Sequence, residues 1–388
     1  MDDFTEKACL CALNRIFGYE PKMATGLISH LGSAREVFNL SGKDIEHLTG
    51  AFFKYQGQIC RQAVETEMRE LESLHRQGIS FCGWSEDCYP SLLKECEDPP
   101  VGLYVRSATP PEELWKPLDS IAVVGTRDIS PYGREWCGRI VSALSRCREK
   151  PVIVSGLALG TDITAHQKAL DCGLPTIGVM ATGPESIYPW RNREVAERIV
   201  RTPGCALVTD YPPGTAPVAL NFLRRNRIIA GLSRATLLIE SKIRGGGMMT
   251  CRLAYSYNRE VYALPGRVDD IRSQGCNDLI RRKIAEPITS ERELITSLGF
   301  RGSARAGRPD MESILTSEYE SRLPSGQISI IKDIVRAIKS DRDITVDLLP
   351  ERLGVSFQTV AELVGMLEID GFISVDLLKR CSINYKNV

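Results

Sequence analysis

No uninterrupted apolar run in the 388 residues is long enough to cross a bilayer, so a helical membrane-spanning protein is not expected. The Met1-Asp2-Asp3 start lacks the basic and apolar regions of a signal peptide, and a cytoplasmic location is the expectation. Net charge is also missing: 49 basic residues balance 49 acidic ones. No global field draws in a polyanion, so any nucleic-acid partner must be held by a local cluster. The thirteen cysteines contain no Cys-x-x-Cys pair and the four histidines lie far apart. That spacing supports neither a metal site nor a disulfide framework, and free thiols are expected.

Several ligand motifs fail as well. After the first strand of the central region the chain reads Gly125-Thr126-Arg127-Asp128-Ile129-Ser130, not Gly-x-Gly-x-x-Gly. The second strand ends in Ser155-Gly156, where a ribose would need an acid. Gly245-Gly246-Gly247 is not followed by Gly-Lys-Ser/Thr, and Ser155 lacks the glycine two residues earlier that a nucleophile elbow needs. Asp162 and His166 stand four apart on one helix without a nucleophile beside them, which reads as structural. No catalytic residue, cofactor or metal is expected.

What is present describes a globular chain of two or three domains, with 43% apolar and 25% charged residues. Residues 1–75 read as short helices, with a turn at Gly18-Tyr19-Glu20-Pro21-Lys22 resembling a helix-hairpin-helix domain. Glu20 and Pro21 stand where free amides would be wanted, so an interaction or structural role is favoured over DNA contact. Residues 76–298 begin with two lead-in strands, Gly78–Phe81 and Val101–Val105. Six apolar strand candidates alternating with helices follow: Ile121–Gly125, Pro151–Ser155, Pro175–Met180, Ala206–Thr209, Ala235–Ile239 and Glu260–Leu264. This pattern predicts an α/β fold, a mostly parallel Rossmann-like sheet covered on both faces. Residues 299–327, rich in Gly, Ser, Arg and Pro, read as a linker. Residues 328–388 read as a winged-helix domain, from helices over Ile328–Lys339, Val346–Leu353 and Phe357–Ile369 and a strand at Gly371–Val375. From Asp341 to Asp370 there are seven acids and two bases, an unfavourable surface for a DNA groove.

The positive charge is concentrated from Asn221 to Arg244, with six basic residues against Glu240. Phe222 stands beside Arg224, Arg225 and Arg227; Lys242 and the bend Gly245-Gly246-Gly247 follow a short strand. Concentrated positive charge beside a glycine bend with free N–H groups is suited to meeting phosphate. A solvated helix face followed by a loop is the alternative, and a buried ion pair is an equal alternative for Arg227. Arg127 lies between a strand and the Ser130-Pro131 helix entry, where a helix N-terminus favours anions.

The ordered motifs resemble one known family. They are Ala122-Val123-Val124-Gly125-Thr126-Arg127, Ile153-Val154-Ser155-Gly156-Leu157-Ala158, Tyr188-Pro189 with Asn192, Tyr211-Pro212-Pro213-Gly214-Thr215, Asn221-Phe222 with Arg225 to Ser233, and Leu264-Pro265-Gly266. Together they resemble the DNA-processing protein A (DprA/Smf) family over about residues 78–295. The resemblance implies an extended Rossmann-like core and a homodimer. It also implies single-stranded DNA binding and loading of the RecA recombinase during natural transformation. By the same likeness the DNA pocket includes Arg127, Ser155, Gly156, Phe222, Arg225, Asn226 and Arg227. Arg224, Lys242, Gly245 and Gly246 join them from the basic cluster and the bend. Leu223, Leu159 and the run Gly246 to Cys251 depart from the family's usual residues and alter the pocket's fine shape. A nucleotide phosphoribohydrolase on a related fold is the rival from another class, but its Pro-Gly-Gly-x-Gly-Thr motif is absent.

Overall fold

The structure, a computed structural model, describes residues 5–49, 55–115, 119–300, 311–341, 344–376 and 379–383. The two lead-in segments form β1 (Ile79–Gly83) and β2 (Gly102–Arg106). The six central segments form β3 (Ser120–Val124), β4 (Val152–Ser155), β5 (Thr176–Val179), β6 (Ala206–Thr209), β7 (Ala235–Leu238) and β8 (Glu260–Ala263), with a short β9 (Glu286–Pro287) at one edge. Their order across one sheet is β1-β2-β6-β5-β4-β3-β7-β8-β9. From β6 to β9 all neighbours are parallel. β1 and β2 extend the sheet antiparallel.

Both faces of the central strands are buried because their side chains alternate between two apolar layers. Ile121, Val123, Ile153, Ala235 and Leu237 enter one layer. Ala122, Val124, Val152, Val154 and Leu238 enter the other. Five helices at the N-terminus, α1 (Glu6–Ile16), α2 (Pro21–Leu31), α3 (Ala34–Asn39), α4 (Gly42–Thr49) and α5 (Arg61–Arg76), precede the sheet. Between strands run α6 (Pro131–Leu144), α7 (Thr161–Asp171), α8 (Arg193–Arg201), α9 (Ala219–Gly231), α10 (Gly246–Ser256) and α11 (Gln274–Arg281), followed by α12 (Glu291–Ser297). The first layer is closed by Ile140 and Leu144 of α6 with Ala165 of α7. The second is closed by Ile228 and Ile229 of α9, Met248 of α10 and Leu279 of α11. Each fully buried Ile, Leu or Met contributes about 1.5–3 kcal/mol.

The boundary expected near residue 75 does not separate two cores. Leu10, Leu13 and Phe17 of α1 pack in one cluster with Ile79, Phe81 and Tyr104 of β1 and β2. The chain divides instead into Met1–Gly302 and Ser303–Val388. In the second unit, α13 (Met311–Tyr319) lies inside the stretch read as a linker, whose residues 301–310 fall outside the described residues. Met311, Leu315 and Tyr319 recur every fourth position and enter that unit's core. α14 (Ser325–Ser340), α15 (Leu349–Leu353) and α16 (Phe357–Ile369) follow, then β10 (Ile373–Val375) paired antiparallel with β11 (Cys381–Ile383). Glu362 and Glu368 are exposed on α16. Eleven cysteines are free. Cys82 and Cys88 are joined, against the expectation of free thiols throughout. Among the described residues no helix is long and apolar enough to cross a membrane.

One buried ion pair seats α9. Arg227 is 6% exposed and its Nη2 lies 2.6 Å from Asp210 Oδ2 beyond β6. The Asp98 carbonyl accepts from its other nitrogen. Burial opposes the guanidinium charge, but Asp210 and Asp98 outweigh it and hold the Arg227 pKa above its usual range. The Asp210 carbonyl also accepts from Asn14 Nδ2 at 2.8 Å, tying α1 to the same point. Asp210→Ala strands the arginine charge and should cost about 3–5 kcal/mol. The check is the denaturation midpoint of the purified variant; an unchanged midpoint would mean that packing alone seats α9.

Candidate functional site

β3 has β4 on one side and β7 on the other, so the direction of strand addition reverses there. Loops leaving such a switch point part to opposite faces and leave a crevice beyond the carboxyl ends of the strands. α9 is the crossover that returns the chain from β6 to β7, and it walls this crevice. The result is a cavity of about 380 Å³. Gly125, Thr126 and Arg127 line it after β3, and Ala158 and Asp162 after β4. Phe222, Arg225, Asn226 and Ile229 line it from α9, and Ser241, Lys242 and Arg244 to Gly247 after β7.

Helical spacing sorts the arginines of α9. Phe222, Arg225, Asn226 and Ile229 fall at three- and four-residue steps and share the cavity side. Arg224 and Arg227 fall on another side, against the turn between α1 and α2. Arg224 donates to the Gly18 carbonyl at 3.1 Å and lies 4.3 Å over the Tyr19 ring. These two expected DNA residues are therefore structural, Arg227 in its ion pair and Arg224 holding the hairpin turn.

Three other expectations change. Ser155 is fully buried, with its hydroxyl donating to Val123 O at 2.6 Å, so its side chain lies beneath the cavity. The helix entry at Ser130 is already occupied by an acid: Glu240, 1% exposed, accepts from the Ser130 N–H at 2.9 Å and from its hydroxyl. The Gly245 N–H donates to Lys242 O at 2.9 Å and closes its own bend. The free amides of that bend belong to Gly246 and Gly247, which open α10 and have no intrahelical acceptor. Gly247 allows this approach, since a Cβ there would stand 3.2 Å from Gly125 Cα.

The floor is built around Arg225. It is 5% exposed, donates to the Val179 carbonyl and lies flat on Gly156, where a Cβ would come within 2.5 Å of its guanidinium. Burial pulls the Arg225 pKa down, and the Asp162 charge works against that shift. Asp162 accepts from the N–H groups of Gly156 at 3.2 Å and Ala158 at 3.4 Å. Burial pushes its pKa up, with Arg225 opposing. At the mouth Arg127, Lys242 and Arg244 are exposed. Asp128, the acid next to Arg127, is held by Arg272 at 2.9 Å. The Arg127 guanidinium lies 5.6 Å over the Phe222 ring, whose other aromatic neighbour is Tyr188 at 5.4 Å between centroids. The structure thus brings together Arg127, Gly156, Phe222, Arg225, Asn226, Lys242 and Gly246. Arg244 and Tyr188 were missed as site residues, though Arg244 stood in the basic cluster and Tyr188 in a family motif. Among the described residues no three His, Cys, Asp or Glu side chains converge as metal ligands would.

The family profile for DNA recombination-mediator protein A matches residues 80–299. Protein Smf of Synechocystis sp. is 33% identical over 296 residues, 76% of this chain and 73% of that protein. DNA processing protein DprA of Streptococcus pneumoniae is 37% identical over 215 residues, 55% of this chain and 73% of that protein. The X-ray structure of DNA processing protein A from Streptococcus pneumoniae aligns with a TM-score of 0.54 at 30% identity, covering 69% of this chain and 95% of that one.

His166, on α7 behind the floor, gives a pH test of this arrangement. It is fully buried with Nδ1 2.8 Å from Thr176 Oγ1, and burial followed by the Arg225 charge pulls its pKa down to about 3. An unfolded histidine titrates near ~6.5. As pH falls below that value the unfolded chain takes up a proton that the native imidazole refuses. The stability contribution is therefore complete above pH ~6.5 and is lost toward pH 3, by up to ~1.4 kcal/mol per pH unit. Denaturation curves from pH 7.5 to 5 should show the wild type losing about 2 kcal/mol more than His166→Gln. Equal losses would show that His166 titrates normally in the native state.

Proposed function

Since the chain belongs to the DNA recombination-mediator protein A family, we propose that it holds single-stranded DNA at this crevice and acts by binding, without turnover, in the processing of DNA for recombination. The observation that carries the reading is the Arg127–Phe222 pair standing over a cavity whose exposed charges are basic. A phosphate meets Arg127, Lys242 and the open N–H groups at the start of α10. A base is offered the Phe222 ring, already supported by Tyr188. Ring contact needs an unstacked base, which a duplex withholds, so the site favours single strands.

The family likeness extends the proposal to two partners, the RecA recombinase that receives the strand and a second copy of this chain. We propose further that it acts in the cytoplasm, on DNA taken up by natural transformation. The eleven free cysteines support a reducing setting. Within the proposed site, Arg127, Phe222, Asn226, Lys242 and Gly246 touch the strand, while Arg225 with Gly156 forms the floor beneath it.

Titration with single- and double-stranded oligonucleotides across salt concentration tests the proposal. Contact with about three to five phosphates gives a log–log slope of about −2 to −3.5. Equal affinity for both forms, or no salt response, would refute it. Arg127→Ala should make the slope shallower by about 0.7, one phosphate's share. Phe222→Ala should cost about 1–3 kcal/mol of binding. It should shift the slope by less than Arg127→Ala does, because it removes only the ring over which the arginine rests.

The second unit supports a further expectation. With the exposed acids Glu362 and Glu368 on α16, it is a poor polyanion surface. A chain ending at Gly302 should keep most of its affinity for single strands in the same titration. A collapse of affinity with the first unit still folded would move the main site into Ser303–Val388.

A further inference from the structure

Phe222 does not stand alone at the cavity mouth. Tyr188 leans on it with ring centroids 5.4 Å apart and is itself 46% exposed. Two residues on, Trp190 is 69% exposed, and the Arg193 guanidinium lies 4.5 Å over its ring. An indole left so open is unusual for a folded chain, since it forgoes most of the burial its large apolar area would gain.

The turn carrying these rings is firmly held. Trp190–Asn192 is a single 3-10 turn. Asn192, 5% exposed, donates from Nδ2 to the Leu157 carbonyl at 2.7 Å. Leu157 belongs to the bend after β4 that carries Gly156 and the floor of the cavity. At the other end Thr182 donates to the Ser186 carbonyl at 2.5 Å, fixing the approach to Tyr188. The backbone of the ledge is therefore tied to the same loop as the floor, and its Tyr188 rests on Phe222.

We propose that Tyr188 and Trp190 form a second stacking station, onto which a single strand runs after it leaves Phe222. This rests on the reading of the cavity as a single-strand site. The occupant follows from continuity and charge. Tyr188 adjoins Phe222, Trp190 follows it two residues on, and Arg191 and Arg193 are exposed beside Trp190, against Glu194 as the adjacent exposed acid. Successive bases stack on aromatic faces whatever their identity, while flanking arginines meet the phosphates between them. The bound strand therefore spans more nucleotides than the cavity alone admits, and its outer part is read by no base-specific hydrogen bond.

The test is an oligo-dT length ladder, from four nucleotides to fifteen, on the full chain and its Trp190→Ala variant. The exposed ring can be removed without opening the core. Trp190→Ala should bind the tetranucleotide like the wild type and the longest strands about 5- to 100-fold more weakly, the span of one lost stack. The longest strand should also quench tryptophan emission in the wild type, and most of that quenching should vanish in Trp190→Phe. Identical ladders for wild type and Trp190→Ala would overturn the station. So would unchanged access of iodide to Trp190 when a long strand is bound. Arg127→Ala, run in parallel, separates the two levels. Weakened binding there with an unaffected Trp190→Ala ladder removes only the ledge, whereas no change in either removes the underlying site as well.

Discussion

A helix that carries three arginines within four positions can be buried only if its charges are met one by one. α9 does this in three ways: Arg227 has a carboxylate, Arg225 a backbone carbonyl and the Asp162 field, and Arg224 a carbonyl and an aromatic face. The first compensation is the one on which the others depend. Asp210 follows β6 and the helix begins nine residues later, so the pair sets how the crossover lies across the sheet. With that angle fixed, Arg225 meets the glycine at the end of β4 and Phe222 overhangs the switch point. An apolar replacement of the pair could be as stable. It would give up the contacts by which α1, the Asp98 loop and the sheet converge on one side chain.

Burying Arg225 has an electrostatic result for the cavity. Its charge is nine-tenths removed from water but remains directly under the space a ligand would occupy. Charges in such a position are screened less than those on the rim. Arg127, Lys242 and Arg244 supply contact and a salt-sensitive approach, while the Arg225 charge is offset by Asp162, buried beside it in the lining of the same cavity.

The sheet was legible because buried parallel strands have a strong signature. Each of the six central segments was placed within a residue or two of its observed ends, and the lead-in strands were found as well. β9, with two residues, and β11, with three, carry no such run. α13 was legible in principle, since Met311, Leu315 and Tyr319 keep helical spacing, but the Gly- and Arg-rich stretch before it suggested a linker. Within the site, the loop residues Arg127 and Lys242 line the cavity because they follow strands, where a parallel sheet presents ligands. The arginines of α9 were treated as one cluster, although a rotation of 100° per residue puts Arg225 and Arg227 on different sides. The contacts of Tyr188 and Glu240 were out of reach, because their partners Phe222 and Ser130 lie far away in the chain and only the fold unites them.

Glu240 shows how the fold chooses between two helix N-termini that face one crevice. Both α6 and α10 start at the carboxyl edge of the sheet, and each would attract an anion on dipole grounds. The α6 end is filled from within: Glu240 accepts from Ser130 and is so close that a Cβ at Gly133 would lie 2.6 Å from its carboxylate. A second negative group cannot join it without two anions sharing one desolvated pocket. Among the described residues no acid caps the α10 end, and its Gly246 and Gly247 line the cavity beside Lys242. A phosphate is therefore directed to α10, and Arg127 approaches it from across the crevice, clear of its own helix entry. Two cationic elements on opposite sides of a gap suit a strand passing through better than a nucleotide held at one end. That arrangement favours a chain-like polyanion over the mononucleotide that many related sheets bind at the same place.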